Sequence, residues 1–156
     1  MAVNNKVFSV PFLRSLFLIQ NEWHQHGVLV HTLRVTYYTL KAGEFKMLMA
    51  ALLHDVGKPF SAFVKDADDV EYGEYSFTDH EERSYQIIKK WPFISEYTKN
   101  LVRYHYLIRD IKKSATENIA RHDKKKKIWD TLDAQMHEDL RVFLGFDDAG
   151  KGKKRR

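Results

Sequence analysis

The chain has 156 residues, 44% of them hydrophobic and 30% charged, and it contains no cysteine. That length fits one domain, whose folding buries about two-thirds of the unfolded surface, and the missing thiols exclude disulfides and any cysteine-ligated metal. The net charge of +5 is concentrated at one end: residues 151–156 (KGKKRR) hold five of the 26 basic side chains, and the other 21 balance 21 acidic ones.

The expected division is therefore a globular body over residues 1–150 and a basic, disordered tail over 151–156. Such a tail can contact RNA phosphates by counterion release, or it can simply keep the protein in solution. The lack of cysteine fits a cytoplasmic protein. At the N-terminus, Val7 to Ile19 is apolar in patches, but Arg14 interrupts it and Pro11 sits inside it. It reads as neither a signal peptide nor a membrane span, so no membrane partner is expected.

From there the apolar spacing is helical. Val28 to Leu40 and Phe45 to His54 read as two helices joined at Ala42–Gly43, and Gly57 and Pro59 stop the second. The run Met47–Leu53 is apolar on every side, which predicts burial all round. Residues 60–78 are Asp-rich and contain glycine, as expected of a long exposed loop. Asp79 with Glu82 forms a capping-box pattern opening a helix to about Trp91. Pro92 breaks it, and Ile94 to Ile108 is the next helix. Ser114 with Glu117 is a second capping-box pattern before a short helix. Lys124–Lys127 reads as a solvated turn or helix start, and Ile128 to Phe146 as the last helical stretch. No period-two run is long enough for a sheet, so the fold class is all-α.

Ionisable groups stand where these helices should be apolar. His31 shares a face with Val28, Val35 and Tyr38. His80 opens a face continued by Ser84, Ile87 and Trp91. His105 lies on the stripe Ile94, Tyr97, Leu101, Ile108, and Asp147 follows Leu140, Phe143 and Leu144. His54 and Asp55 close the apolar run. A buried carboxylate needs a partner, because an unpaired buried charge costs several kcal/mol. Arg34 or Arg103 could serve Asp55. So could a divalent cation whose shell is completed by imidazoles from other helices. Histidine suits Mn, Fe, Ni, Co and Zn, and the aspartate adds the hard oxygen that Mg and Mn prefer. A single histidine on an apolar stripe is more often a hydrogen-bonded core residue than a ligand. That reading explains poorly four of the 8 histidines and two aspartates facing inward from five segments.

The order His31 (in HTLRV), His54–Asp55 (in LLHDVGKP), His80, His105 and a late aspartate resembles the HD-domain superfamily of metal-dependent phosphohydrolases. Local wording is similar to the HD domain of bacterial CCA-adding tRNA nucleotidyltransferases: WHQHGVLVHTL at 23–33, ALLHDVGK at 51–58, DHE at 79, LVRYH at 101–105, IWDTLDA at 128–134 and DDAG at 147–150. The resemblance implies a single compact HD-type helical domain with a metal site between helices. It implies a first metal held by His31, His54, Asp55 and Asp147, the last chosen over Asp148 because Asp147 continues the apolar stripe and gives Asp-x-x-Gly. It further implies that His80 and His105 hold a second metal bridged by Asp55, or contact the phosphate and assist the leaving group. Lys58 would balance phosphate charge, although an exposed lysine after a helix explains it equally well. His24 and His26 stand near family positions at a spacing shorter by one, and are expected at the rim.

Departures bear on the substrate. The sequence holds no nucleotidyltransferase domain, so CCA addition is not expected. The Glu-Asp after the HD pair of alarmone hydrolases, the downstream Gly-Asp of deoxynucleotidases and the GYP of cyclic-dinucleotide phosphodiesterases are all missing. The expected activity is hydrolysis of phosphate esters by metal-activated water, with one or two ions (Mn, Ni, Co, Mg, Fe or Zn). In it Asp55 orients the water, and His80 or His105 stabilises developing charge. RNA ends bearing 2′,3′-cyclic or 2′-phosphates are the first substrate class and nucleotides, including dNTPs and cyclic nucleotides, the second. A non-catalytic metal-binding module or a nucleic-acid binder is the competing expectation.

Overall fold

The computed structural model describes residues 9–154, apart from the side chains of Val10, Pro11 and Asp68. Val7 and Phe8 of the N-terminal apolar stretch, and Arg155 and Arg156 of the basic end, lie outside the described residues. The structure is all-α, with helices α1 Val10–Ser15, α2 Val28–Lys41, α3 Leu48–Leu53, α4 Ala67–Tyr72, α5 His80–Ile88, α6 Glu96–Tyr104, α7 Leu107–Glu117, α8 Ile119–Asp130 and α9 Ala134–Lys151. Two-residue strands β1 Ala62–Phe63 and β2 Ser76–Phe77 pair antiparallel. No helix among the described residues is long and apolar enough to cross a membrane.

Local chemistry sets the helix ends. Gly43, at φ 74, follows the C-cap of α2 and turns the chain into a short 3₁₀ turn, Phe45–Met47, that leads into α3. Ser95, Asn118 and Asp133 cap α6, α8 and α9 by accepting from the amides of Thr98, Arg121 and Met136. Ala50 and Ala51, small and fully buried, let α3 pack between α2 and α6, while α9 lies against α2 and α6. Val35, Met47, Ile87, Ile88, Leu101, Val102, Leu140 and Phe143 fill the space between them.

Several local expectations are corrected. Residues 60–78 are not a featureless exposed loop: they hold β1, α4 and β2, and Asp69, Glu74 and Ser76 are buried. Asp79 stands at the N-cap of α5 in left-handed backbone, φ 53, and its side chain makes no cap bond. The box with Glu82 is absent, because a capping side chain needs extended backbone to reach the first-turn amides. Glu82 accepts from Arg103 instead, at 2.9 Å. The stretch Ile94–Ile108 splits into α6 and α7 with His105 in the break. Ser114 lies inside α7, where its hydroxyl donates to Asp110 O. Lys124–Lys127 is the middle of α8, a helix with no buried residue and so no apolar period to read. The run Met47–Leu53 is not buried all round, since Met49 and Leu52 are exposed. Lys151 closes α9 and Lys154 lies over the Trp23 ring at 4.1 Å, so the first four residues of the basic end pack on the segment before α2.

Candidate metal centre

α2, α5, the α6–α7 junction and α9 each send one inward polar group to a common point, and the end of α3 sends two. α2 buries His31 on its core face. His54 caps α3, and Asp55 follows it. α9 comes so close to α2 that a Cβ on Gly150 would run into Val35 Cγ2 and stand 3.2 Å from His31 Nδ1. Arg34 holds that end of α9 by donating to the carbonyls of Gly150 (3.2 Å) and Ala149 (3.3 Å). This approach carries Asp147 to His31. The turn after Asp55 is clamped to α5 by Ser84, whose hydroxyl donates to His54 O at 2.6 Å and accepts from Gly57 N at 2.9 Å.

Ligand-type atoms gather in two adjoining groups, His31–His54–Asp147 and Asp55–His80–His105, each within 4.8 Å. Asp55 lies between them. Its Oδ2 is 3.4 Å from His31 Nε2 and 3.2 Å from His54 Nε2, while its Oδ1 is 3.5 Å from His80 Nε2. Asp147 Oδ1 is 3.0 Å from His31 Nε2. All six residues are buried.

The histidine tautomers follow from the backbone. His54, His80 and His105 place Nδ1 against the carbonyls of Ala51 (2.9 Å), Phe77 (3.2 Å) and Val102 (2.7 Å). A carbonyl only accepts, so each Nδ1 carries a proton and each Nε2 faces inward, with a free lone pair on the neutral rings of His80 and His105. Nε2 atoms then face each other at 3.3 Å, His54 to His31 and His80 to His105. His80 and His105 thus turn lone pairs toward each other, which repel without a cation between them, while His31 Nε2 donates to Asp147 Oδ1 and Asp55 Oδ1 accepts no hydrogen bond. This donor set of imidazole nitrogens and carboxylate oxygens, buried and fixed from behind, fits divalent metal.

Charge is arranged to match. Burial pushes His80 down to about 3 and His105 to about 4, so both are neutral. Burial alone would raise Asp55, but His54 and Lys58 outweigh it and hold its carboxyl well below the usual range. Burial opposes Asp147 in the same way, and its hydrogen bond with His31 prevails. Lys58 is buried rather than the exposed lysine considered from sequence. Its Nζ sits 2.8 Å from Asp55 Oδ2 and donates to Gln20 Oε1. Arg34 and Arg103 do not pair with Asp55, because Arg34 serves the end of α9 and Arg103 serves Glu82.

The centre opens into a cleft of about 1010 Å³, walled by Trp23, Phe77, Tyr106, Arg109 and Lys151. Asp148 points to this wall instead of the centre: its Oδ1 accepts from Arg109 at 2.6 Å and lies 3.1 Å from Lys151. His24 also lines the cleft and stands edge-on to His31, ring centres 5.2 Å apart, and burial pushes it down to about 2. Sequence reasoning missed Arg109 and Gln20, and placed Ser84 on the buried face of α5 without its clamping role. Arg109 had a usable signal, standing four residues after His105; Gln20 had none, being brought in by a lone bridge to Tyr75.

Among known proteins, a family model described as HD domain matches residues 28–135. The match takes in His31, His54, Asp55, His80 and His105, and ends before Asp147. No curated protein matches the chain.

Proposed function

The chain belongs to the HD domain family, and on that premise we propose that it hydrolyses phosphate esters on RNA ends, 2′,3′-cyclic or 2′-phosphates, with nucleotides as the second substrate class. The observation that carries the reading is Asp55 standing between two groups of inward-facing Nε2 and carboxylate atoms. His31, His54, Asp55 and Asp147 would hold one ion, and Asp55, His80 and His105 a second. A divalent cation there (Mn, Ni, Co, Mg, Fe or Zn) supplies Lewis-acid charge and lowers the pKa of nearby water.

The chain's own residues do the rest. Neutral His80 and His105 offer lone pairs to a cation without first losing a proton. Asp55, standing between the two groups, would help to hold the ion and to place the attacking water. Lys58, Arg109 and Lys151 line the cleft with positive charge that offsets the phosphate oxygens. Arg109 spends one terminal nitrogen on both Asp147 and Asp148, and its buried Nε donates to nothing. Trp23 at the cleft wall offers a ring to a base, and Lys154 beside it places the basic end at the entrance, which favours RNA. The local wording shared with the HD domain of CCA-adding enzymes points the same way.

The test is metal content of protein purified without chelator, together with product release from a panel of RNA ends, nucleotides and cyclic nucleotides. One or two ions per chain, and turnover that Asp55→Asn abolishes, are expected. Bound metal with no turnover on any substrate would favour the non-catalytic metal-binding reading. No metal, and no activity on adding Mn, Ni, Co or Mg, would sink the enzymatic one.

A further inference from the structure

Between Val28 and Leu53 the sequence holds four charged side chains, Arg34, Lys41, Glu44 and Lys46, and three of them fall at the turn between helices. The result is a helix with two apolar faces. On α2, Val28, His31, Val35 and Thr39 are buried in the core. Val30, Leu33, Tyr37 and Leu40, spaced three, four and three, lie on the opposite side and are exposed by 45%, 54%, 56% and 44%. The next segment repeats the arrangement. Met47, Ala50 and Ala51 are buried, while Phe45, Met49 and Leu52, spaced four and three, are exposed by 70%, 42% and 40%. α2 and α3 pack side by side, so the two outward stripes form one face.

We propose that this face is the interface between two copies of this chain, packed about a two-fold axis through α2 and α3. Seven side chains of this size, exposed to this degree, amount to roughly 600 Å² of apolar surface, at the upper end of the roughly 300–600 Å² of the largest patch on an ordinary monomer and about three-quarters of the roughly 800 Å² each partner buries in a standard interface.

The charge pattern selects the occupant. Near a two-fold axis each residue meets its own copy, so a charge there would face a like charge, and the stripe contains none. Arg34 is turned away, donating to the carbonyls at the end of α9. A lipid surface would want a basic rim, yet Lys46 is committed to Asp139 at 2.7 Å, which leaves Lys41 alone beside the stripe. The spacing of three and four on both helices suits packing of one helix stripe against another. The proposal is independent of the metal reading, because His31 lies on the other face of α2.

Sedimentation velocity of the full chain over a range of concentrations tests it. The wild type should be a dimer in the micromolar range. Leu33→Glu and Tyr37→Glu should weaken association at least a hundredfold, with the helical circular dichroism and metal content of the wild type. Should either glutamate variant lose its helical signal, Leu33→Ser and Tyr37→Ser serve in its place, with about tenfold weaker association expected. A wild type that stays monomeric overturns the proposal, as does a dimer indifferent to these substitutions. A monomer that floats with phosphatidylcholine vesicles also overturns it, and assigns the face to lipid.

Discussion

Asp147 Oδ1 lies 3.0 Å from His31 Nε2, joining α9 to α2 at the candidate metal centre, while the adjacent Asp148 is exposed and turned to Arg109. One helical step of about 100° accounts for the difference. Asp147 continues the buried stripe of Leu140 and Phe143, whereas Asp148 leaves it. Asp147→Ala should therefore lose metal and at least a hundredfold in turnover. Asp148→Ala should keep its metal and most of its turnover, because what it loosens is the wall carrying Arg109 and Lys151. Elemental analysis and kinetics on the two variants side by side check this. Metal lost only from Asp148→Ala would reverse the assignment.

Asp55→Asn should abolish hydrolysis and leave the helical signal largely intact. Asparagine keeps the shape but removes the charge that the imidazoles and Lys58 surround. The apolar core of Phe143, Leu101, Ile87 and their neighbours does not depend on it. Near wild-type turnover would place the reaction elsewhere. Loss of helicity would show that the metal supports the fold as well.

The helical class and the inward groups were legible because polar residues on a 3.6-residue apolar stripe stand out. His31, His80, His105 and Asp147 all come from such interruptions, and the structure brings them to one place. The break at His105 was not legible. No proline or glycine marks it, and there His105 Nδ1 lies 2.7 Å from Val102 O at the end of α6. α8 was read only in pieces, as a short helix, a turn or helix start and the beginning of the last stretch, for the opposite reason: it buries nothing, so no apolar period joins its parts. Gln20 and Ser84 contribute through contacts between distant segments, which no local pattern encodes.

Gly57→Ala tests how tightly the turn after Asp55 is set. Its φ of −81 suits any residue, so the cost is steric. An added Cβ would meet Ser84 N at 2.5 Å and His80 O at 2.6 Å, both backbone atoms of α5. Pushing α5 away shifts His80 from Asp55 and loosens the Ser84 clamp. We expect about 1–3 kcal/mol of destabilisation, read as a lower melting temperature, and weaker metal retention. Unchanged melting and metal content would show that α5 yields freely.

Removal of residues 153–156 should leave turnover of small phosphate esters unchanged while weakening RNA binding. The cut spares Lys151, which lines the cleft and whose carbonyl accepts from Gln25 N. It removes Lys154 from the face of Trp23. For every phosphate that the shortened chain no longer neutralises, the plot of log affinity against log salt should flatten by about 0.7 for a single strand. An unchanged salt slope would leave the basic end with no role beyond solubility.

Acid should destabilise the metal-free protein well above the carboxylate range. Burial holds His24 to about 2, His80 to about 3 and His105 to about 4, against 6.5 for an unfolded histidine. Between those values and 6.5 the unfolded chain binds protons that the folded chain refuses. Unfolding free energy therefore falls as pH drops, by about 1.4 kcal/mol per pH unit for each net proton. His54 works in the other direction: burial opposes its charge, but Asp55 and Asp147 outweigh it and raise its pKa, so its contribution is present at low pH and lost as pH rises. Asp55 and Asp147, held well below 3.8, act only at lower pH still. Burial lowers His31 as well, so the lowered histidines, four in all, outnumber His54, and the net slope between pH 6.5 and about 4 is positive. The melting temperature of chelator-treated protein should fall by several degrees from pH 6.5 to 5.5. In His105→Gln, with one fewer such proton, the fall should be shallower. A melting temperature that is flat across that interval, or a variant as steep as the wild type, would show that these imidazoles are not held neutral by the fold.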